Sequence, residues 1–438
     1  MTLSPQVAKQ IDDILSRAQA EGRAPTVAGA VVRDGVMVHF GAFGSDPATG
    51  EVPTRDTQFR IGSITKTMTA VLLMQLRDDG KLSLDDLLYG HLSGTPLGSA
   101  ITLRHLLGHV SGLQREPDGP WWERSDGATL DEFLAGLTPD KLAHPPHRTY
   151  HYSNLAYGLL GAVLQRVTGL EWGELLRERI LEPLSMVRTN LTEVEPFARG
   201  YVVHPWYGTL REEPRTDTGA MGPAGQLWST PADMAKWAAF LAGGHEAVLS
   251  PATITEMCAP VVISDLETWS AGHGLGIELY RRGERVYAGH GGSMPGYLAH
   301  LLSHRPSRTG SVVFAGAYTL AGKRIGDLNR DILTTVLDAE PAPVKAWVPP
   351  TGAAAEHELA GTWWWMGRSL EMHFDPVESL LVAQLSPVPG KWVFKNEGTD
   401  LWRCTSGSND GEVMRVRRDA SGQPSELDIA TLVHTRVP

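Results

Sequence analysis

Gly62-Ser63-Ile64-Thr65-Lys66 stands where a glycine-marked turn runs into an apolar stretch. Met68, Val71, Leu72 and Leu76 in that stretch read as a helix stopped by Gly80. Three residues apart on a helix, Ser63 and Lys66 share one face, which sets an amine beside a hydroxyl. The positive end of the helix dipole favours a serine alkoxide there and loosens the lysine proton. No other lysine in the chain has a serine three places before it. The pair becomes chemistry only if the rest of the chain can complete a site around it.

Outward from this pair, Val7, Ile11, Ile14 and Leu15 recur at helical spacing, with Asp12, Asp13 and Arg17 on the opposite face. Residues 26–32 and 36–40 are β-rich and joined near Asp34-Gly35, a two-residue hairpin signal. From Gly80 to about residue 260 the chain reads as mostly helical with polar loops. Thr230-Pro231-Ala232-Asp233 marks one helix start with an N-cap, a proline at the first position and an acid in the first turn. Strand signals return at residues 275–280, 285–288, 297–302 and 311–317, before a last helix at about 325–337. Strands at both ends of a helical middle predict an α+β domain. Its one antiparallel sheet is assembled from both ends of residues 1–340 and carries an inserted helical subdomain.

Residues 341–355, with Pro341, Pro343, Pro349 and Pro350, read as a linker. In residues 356–438, Leu370, Met372 and Phe374 alternate with Glu371 and His373, and the pattern recurs near residues 413–416 and 427–429. That predicts a small all-β domain, sandwich or barrel, with Trp363-Trp364-Trp365 in its core.

The 438 residues carry a net charge of −11, which argues against nucleic acid or an anionic membrane as partner. The two cysteines, Cys258 and Cys404, fall in different domains, so no disulfide framework is expected. No apolar leader or spanning run is found, and the reading is a cytoplasmic protein with no cofactor and no metal. His144, His147 and His151 have metal-like spacing, but Pro145-Pro146 prevents one helical face, and they read as solvated.

A nucleophilic serine needs a base, a proton route to the leaving group and oxyanion donors. Tyr152-Ser153-Asn154 opens an apolar helical run and is the chain's only Tyr-x-Asn. A tyrosine hydroxyl can relay a proton once cationic neighbours lower its pKa, and the Asn154 amide can hold a substrate carbonyl. Gly289-His290-Gly291-Gly292-Ser293 lies between two predicted strands. Its glycines let an acyl group approach, and the Ser293 N–H can face a developing oxyanion. Leu106 to Leu113 reads as a turn after a helix, with His109 and Ser111 structural rather than a second nucleophile pair. Trp121 and Trp122 follow it and are candidates for lining an acyl pocket.

Ser63-x-x-Lys66, Tyr152-x-Asn154 and His290-Gly-Gly, in that order, resemble the three motifs of the serine β-lactamase and penicillin-binding-protein superfamily. The likeness is to its class C-like branch of esterases, D-aminopeptidases and D-Ala-D-Ala carboxypeptidases. The resemblance covers about residues 5–338, and Gly361-Thr362-Trp363 resembles the start of a lipocalin-like tail. It implies Ser63 as nucleophile, Lys66 as base, Tyr152 as proton carrier and His290 in place of the usual lysine. Asn154, Gly291 and Gly292 would face substrate, and the N–H groups of Ser63 and Ser293 would form the oxyanion hole. Many relatives carry a hydroxyl residue after the third-motif residue, where this chain has Gly291. A missing donor at a carboxylate site costs on the order of 1–3 kcal/mol, which shifts weight from β-lactams and D-Ala-D-Ala peptides to esters, amides or decarboxylated ends. The leading expectation is a serine hydrolase of small peptides, amides or esters. The alternatives are a penicillin-binding-protein-type thioesterase or cyclase fed by a carrier-bound acyl donor, and a non-catalytic binding protein.

Overall fold

The computed structural model describes residues 2–97, 100–341, 357–376, 378–386 and 390–438. The chain forms two compact units, Met1–Ala342 and Pro343–Pro438. Most of the predicted linker lies outside the described residues.

The first unit is built on an eight-stranded antiparallel sheet. In chain order its strands are β1 (Thr26–Arg33), β2 (Val36–Gly44), β3 (Val262–Ile263), β4 (Ala271–His273), β5 (Glu278–Arg282), β6 (Arg285–Met294), β7 (Tyr297–His304) and β8 (Thr309–Ala315). Across the sheet they run β2-β1-β8-β7-β6-β5-β4-β3. The pairing of Val27 with Ala315 and Val31 with Ser311 joins the two ends of the domain, as the strand signals predicted. Asp34 (φ 47°) and Gly35 (φ 81°) both take left-handed backbone, the requirement of a type I′ hairpin turn.

The apolar stripe of helix α1 (Pro5–Gly22) and that of the last helix, α5 (Ile325–Ala339), cover one sheet face through Ile11, Leu15, Ile332 and Val336. Fully burying each such side chain contributes about 1.5–3 kcal/mol. The other face packs against α2 (Thr65–Asp78) and α4 (Pro231–Gly243), and α3 (Asn154–Thr168) packs on α2. Thr230 caps α4 as its sequence promised, its hydroxyl accepting from the Asp233 N–H at 3.1 Å. The stretch between Gly80 and residue 260 departs from the mostly helical expectation. Besides α3 and α4 it holds short helices such as Leu103–Leu107 and Leu130–Ala135, a small strand pair (Tyr201–Val203 with Leu210–Glu212) and long irregular loops. Pro117, Gly119, Pro120, Pro145 and Pro146 interrupt helical hydrogen bonding there. The short strands β3, at the sheet's edge, and β4 beside it escaped the sequence reading because two or three residues carry no alternation to detect.

The second unit is a closed barrel of eight consecutive antiparallel strands: Gly361–Trp365, Arg368–Asp375, Leu380–Ser386, Lys391–Gly398, Leu401–Cys404, Val413–Arg418, Pro424–Ile429 and Leu432–Thr435. Leu370, Met372, Phe394, Met414 and Leu427 fill its interior. Of the three consecutive tryptophans only Trp363 is fully buried: Trp364 faces the opposite side of the strand, and Trp365, on the same side as Trp363, sits at the strand's end and is partly exposed. Cys258 and Cys404 are both free thiols.

Candidate active site

Helix α2 is buried on all sides from Thr65 to Leu76, so its polar side chains must find internal partners. Thr67 donates to the Ile64 carbonyl at 2.7 Å and Thr69 to that of Pro223 at 2.8 Å. Lys66, with no exposed surface, donates to Ser63 Oγ at 2.9 Å and to the Ala224 carbonyl at 2.6 Å. Ser63 lies in a single 3₁₀ turn, Gly62–Ile64, that leads into α2 rather than in the α-helix itself. Burial brings the Lys66 pKa down from 10.5 to about 7, against the opposing pull of Glu116, Glu123 and Glu278. An amine held at that value can take a proton from Ser63 at neutral pH.

Tyr152 precedes α3, whose N-cap is Ser153, the hydroxyl of which accepts from the Ala156 N–H at 3.0 Å. The Tyr152 ring stacks on His109 at 4.3 Å and lies under Lys66 Nζ at 5.1 Å and Arg115 at 5.0 Å. Its hydroxyl lies beside Ser63. The expected lowering of its pKa by cations is not what the surroundings produce. Burial pushes it well above 10, so Tyr152 stands as a neutral phenol able to give one proton while accepting another.

Asn154, the first residue of α3, donates through Nδ2 to both carboxylate oxygens of Glu116 at 2.9 Å. A carboxylate only accepts, so this contact orients the amide and leaves Oδ1 buried without a partner. The free end of the amide is therefore a carbonyl acceptor, which would suit an N–H donor instead of the expected substrate carbonyl. Glu116 also accepts from the Trp122 indole at 2.8 Å. Nothing in its sequence context marked Glu116, because no motif contains it.

The third motif lies inside the continuous strand β6, not between two strands. Pairing with β5 stops at Gly289 opposite Glu278, whereas pairing with β7 runs on to Met294. Backbone groups alternate sides along a strand, so those of Gly291 and Ser293 face the open edge. That edge crosses the Ser63 turn closely. A Cβ on Gly62 (φ 51°) would stand 2.6 Å from Ser293 N, and one on Gly292 would stand 1.9 Å from the Ile61 carbonyl and 3.2 Å from Ser63 N. The backbone of the Ser63 turn and that of Ser293 therefore lie side by side, the proximity that a pair of oxyanion donors would need.

His290 is buried, with Nδ1 bonded to the Gly291 carbonyl at 2.5 Å, which fixes the proton on Nδ1. Burial lowers its pKa although Glu278 opposes this, so it is a neutral imidazole at pH 7, where the usual lysine would carry charge. Behind it lie two further buried histidines. His109, in a left-handed turn at φ 54°, accepts from the Ser153 N–H through Nδ1 at 3.0 Å. His273 is pushed down to about 4 by burial. The turn reading of His109 missed that its ring forms the floor under Tyr152. Trp122 is buried and borders a cavity of about 330 Å³ lined also by Phe133, Leu137, Leu155 and Met221. Trp121 does not join it, being half exposed with its indole on Glu123 at 3.1 Å. Among the described residues no group of three or more His, Cys, Asp or Glu is placed to hold a metal ion, and no helix is long and apolar enough to cross a membrane.

Residues 11–325 match the family described as beta-lactamase, and residues 353–436 match a domain of unknown function, DUF7586. Over 405 residues the chain is 30% identical to human beta-lactamase-like 1, spanning 86% of this chain and 78% of that protein. It is 32% identical over 241 residues to the D-alanyl-D-alanine-carboxypeptidase/endopeptidase AmpH of Escherichia coli, with 53% of this chain and 62% of that one covered. The D-amino acid amidase of Ochrobactrum anthropi superposes with a TM-score of 0.67 at 24% identity over 76% of this chain and 99% of its own, a likeness of fold.

Proposed function

The chain belongs to the beta-lactamase family, and we propose that it is a serine hydrolase that cleaves small peptide, amide or ester bonds through an acyl-enzyme on Ser63. The observation that carries this reading is the 2.9 Å hydrogen bond to Ser63 Oγ from a buried lysine whose pKa is about 7. In this mechanism Lys66 Nζ takes the Ser63 proton as Oγ bonds to the substrate carbonyl carbon. The carbonyl oxygen, now an anion, sits between the Ser63 and Ser293 N–H groups. Tyr152 gives its proton to the departing nitrogen or oxygen and recovers one from Lys66 as the C–N or C–O bond breaks. Water then attacks the ester, losing its proton to the same Tyr152–Lys66 pair, and Ser63 Oγ regains a proton on release.

The named activities of the carboxypeptidase and the amidase support a substrate with D-configured residues. The acyl part would lie by Asn154 and Trp122, with the apolar cavity beside Trp122 taking a side chain. We read the C-terminal barrel as lipocalin-like on its eight consecutive strands. A fluorophosphonate probe read by intact mass should add one adduct to the wild type and none to Ser63→Ala. An adduct that persists in Ser63→Ala overturns the proposal.

A further inference from the structure

Tyr152 is the proton donor to the leaving group in the hydrolase reading, and its ring lies 6.2 Å from that of His290. The leaving group therefore departs on the His290–Gly291 side of Ser63. Opposite β6 there, β5 begins with Glu278. Its Oε2 accepts from the Gly291 N–H at 2.9 Å and from the Tyr280 hydroxyl at 2.7 Å. Its Oε1, 4.0 Å from His290 Nδ1, takes no hydrogen bond among the described residues, and a fifth of the side chain is open to solvent.

Gly291 matters for what it leaves uncovered. A Cβ there would stand 3.8 Å from Glu278 Oε2 and 3.3 Å from His300, so any side chain would screen the carboxylate from the cleft. Against its burial, the neighbouring His290, the Tyr280 phenol, His300 and the Gly291 amide hold the Glu278 carboxyl well below the usual carboxylate range, and burial in turn lowers both imidazoles. The adjoining cleft of about 560 Å³ includes Tyr280, His300, Tyr318, Lys323, Arg324 and Arg330 in its walls. Two of its cations are already paired, Lys323 with Glu21 and Arg330 with Asp327.

We infer that Glu278 is a specificity-determining residue: it makes the leaving-group side of this site a subsite for an amine-bearing, cationic leaving group and disfavours a carboxylate. A partly desolvated anion with one free oxygen offers an ammonium a charge-assisted hydrogen bond and meets a carboxylate with like-charge repulsion. The inference rests on the hydrolase reading of Ser63.

The test uses one acyl group on three leaving groups of similar size, as 2-aminoethyl, 2-methoxyethyl and carboxymethyl esters, with acylation followed by intact mass and product release. The expected order is 2-aminoethyl, then 2-methoxyethyl, then carboxymethyl. The ends should differ in kcat/KM by roughly tenfold or more, and Glu278→Gln should collapse that ratio towards one. Equal rates in the wild type, or a carboxymethyl ester cleaved fastest through Arg324 across the cleft, overturn the inference, as does a ratio unchanged in Glu278→Gln. The wild-type order stands as evidence even if the variant does not fold. A protein that takes the fluorophosphonate at Ser63 but does not rank the esters this way fails only the Glu278 assignment. One that takes neither fails the hydrolase reading itself.

Discussion

Glu116 holds Asn154 by both carboxylate oxygens, at 2.9 Å each from Nδ2, and so turns the Asn154 carbonyl into the one uncommitted end of that amide. A buried acceptor without a partner costs about 1–3 kcal/mol until something donates to it. An acyl donor with an N–H at that point should therefore be cleaved roughly tenfold or more faster than its N-methyl analogue, read as kcat/KM. In Glu116→Gln the amide is free to flip, and the discrimination should shrink. Equal rates for the two donors in the wild type would show that Asn154 does not touch the substrate.

In the proposed mechanism Lys66 sets the pH dependence. Acylation needs the free amine, so the rate should rise with pH through about 7 and level off above it, the limb belonging to Lys66. Glu116 and Glu123 both favour the charged amine, so Glu123→Gln should move the limb to lower pH. Lys66→Ala and Tyr152→Phe should each slow acylation by about 10²–10⁴ in single-turnover assays. A limb that stays in place in Lys66→Ala would assign it to another group.

The same lysine weakens the fold. Between pH 7 and 10.5 the unfolded chain binds a proton at this position that the folded chain does not. The Lys66 contribution to stability therefore falls as pH drops from 10.5 towards 7. Lys66→Met removes that penalty at the cost of two hydrogen bonds. It should be more stable than wild type at pH 7 by on the order of 1–3 kcal/mol, with the gap closing towards pH 10. Urea unfolding at pH 7 and 9.5 followed by tryptophan fluorescence measures this. A gap of the same size at both pH values would mean that proton binding is not its cause.

Gly62 is committed twice, by its φ of 51° and by the 2.6 Å approach that a Cβ would make to Ser293 N. Gly62→Ala must push the Ser63 turn away from β6 and spread the two amides apart. Fluorophosphonate labelling of Ser63 should drop by about 10² or more while circular dichroism stays near that of the wild type. Wild-type labelling in this variant would show that the crossing tolerates a methyl group.

Much of this was legible in the chain because it depended on local rules. The hairpin at Asp34-Gly35, the cap at Thr230, the amphipathic first helix and the alternation in the tail each follow from the backbone preferences of a few neighbouring residues. Ser63, Lys66, Tyr152, Asn154 and His290 were marked by spacing, and the structure gathers them around the Ser63 turn. Trp121 was marked the same way and lies outside, since its neighbour Trp122 took the inward side.

The sequence by itself determined which groups the proposed chemistry would use, because a serine, an amine and a phenol at fixed spacings on predictable elements need no long-range information to be recognised. Only the tertiary structure decided their states and their surroundings. The Lys66 pKa of about 7 comes from enclosing α2 on all sides, a consequence of packing that no local pattern contains. Glu116, Glu278 and His109 reach the site from loops and strands far from the residues they touch, so only the fold brings them there. The reactivity proposed for Ser63 would draw on the start of a helix that the sequence announces and on a burial of Lys66 that only the folded chain supplies.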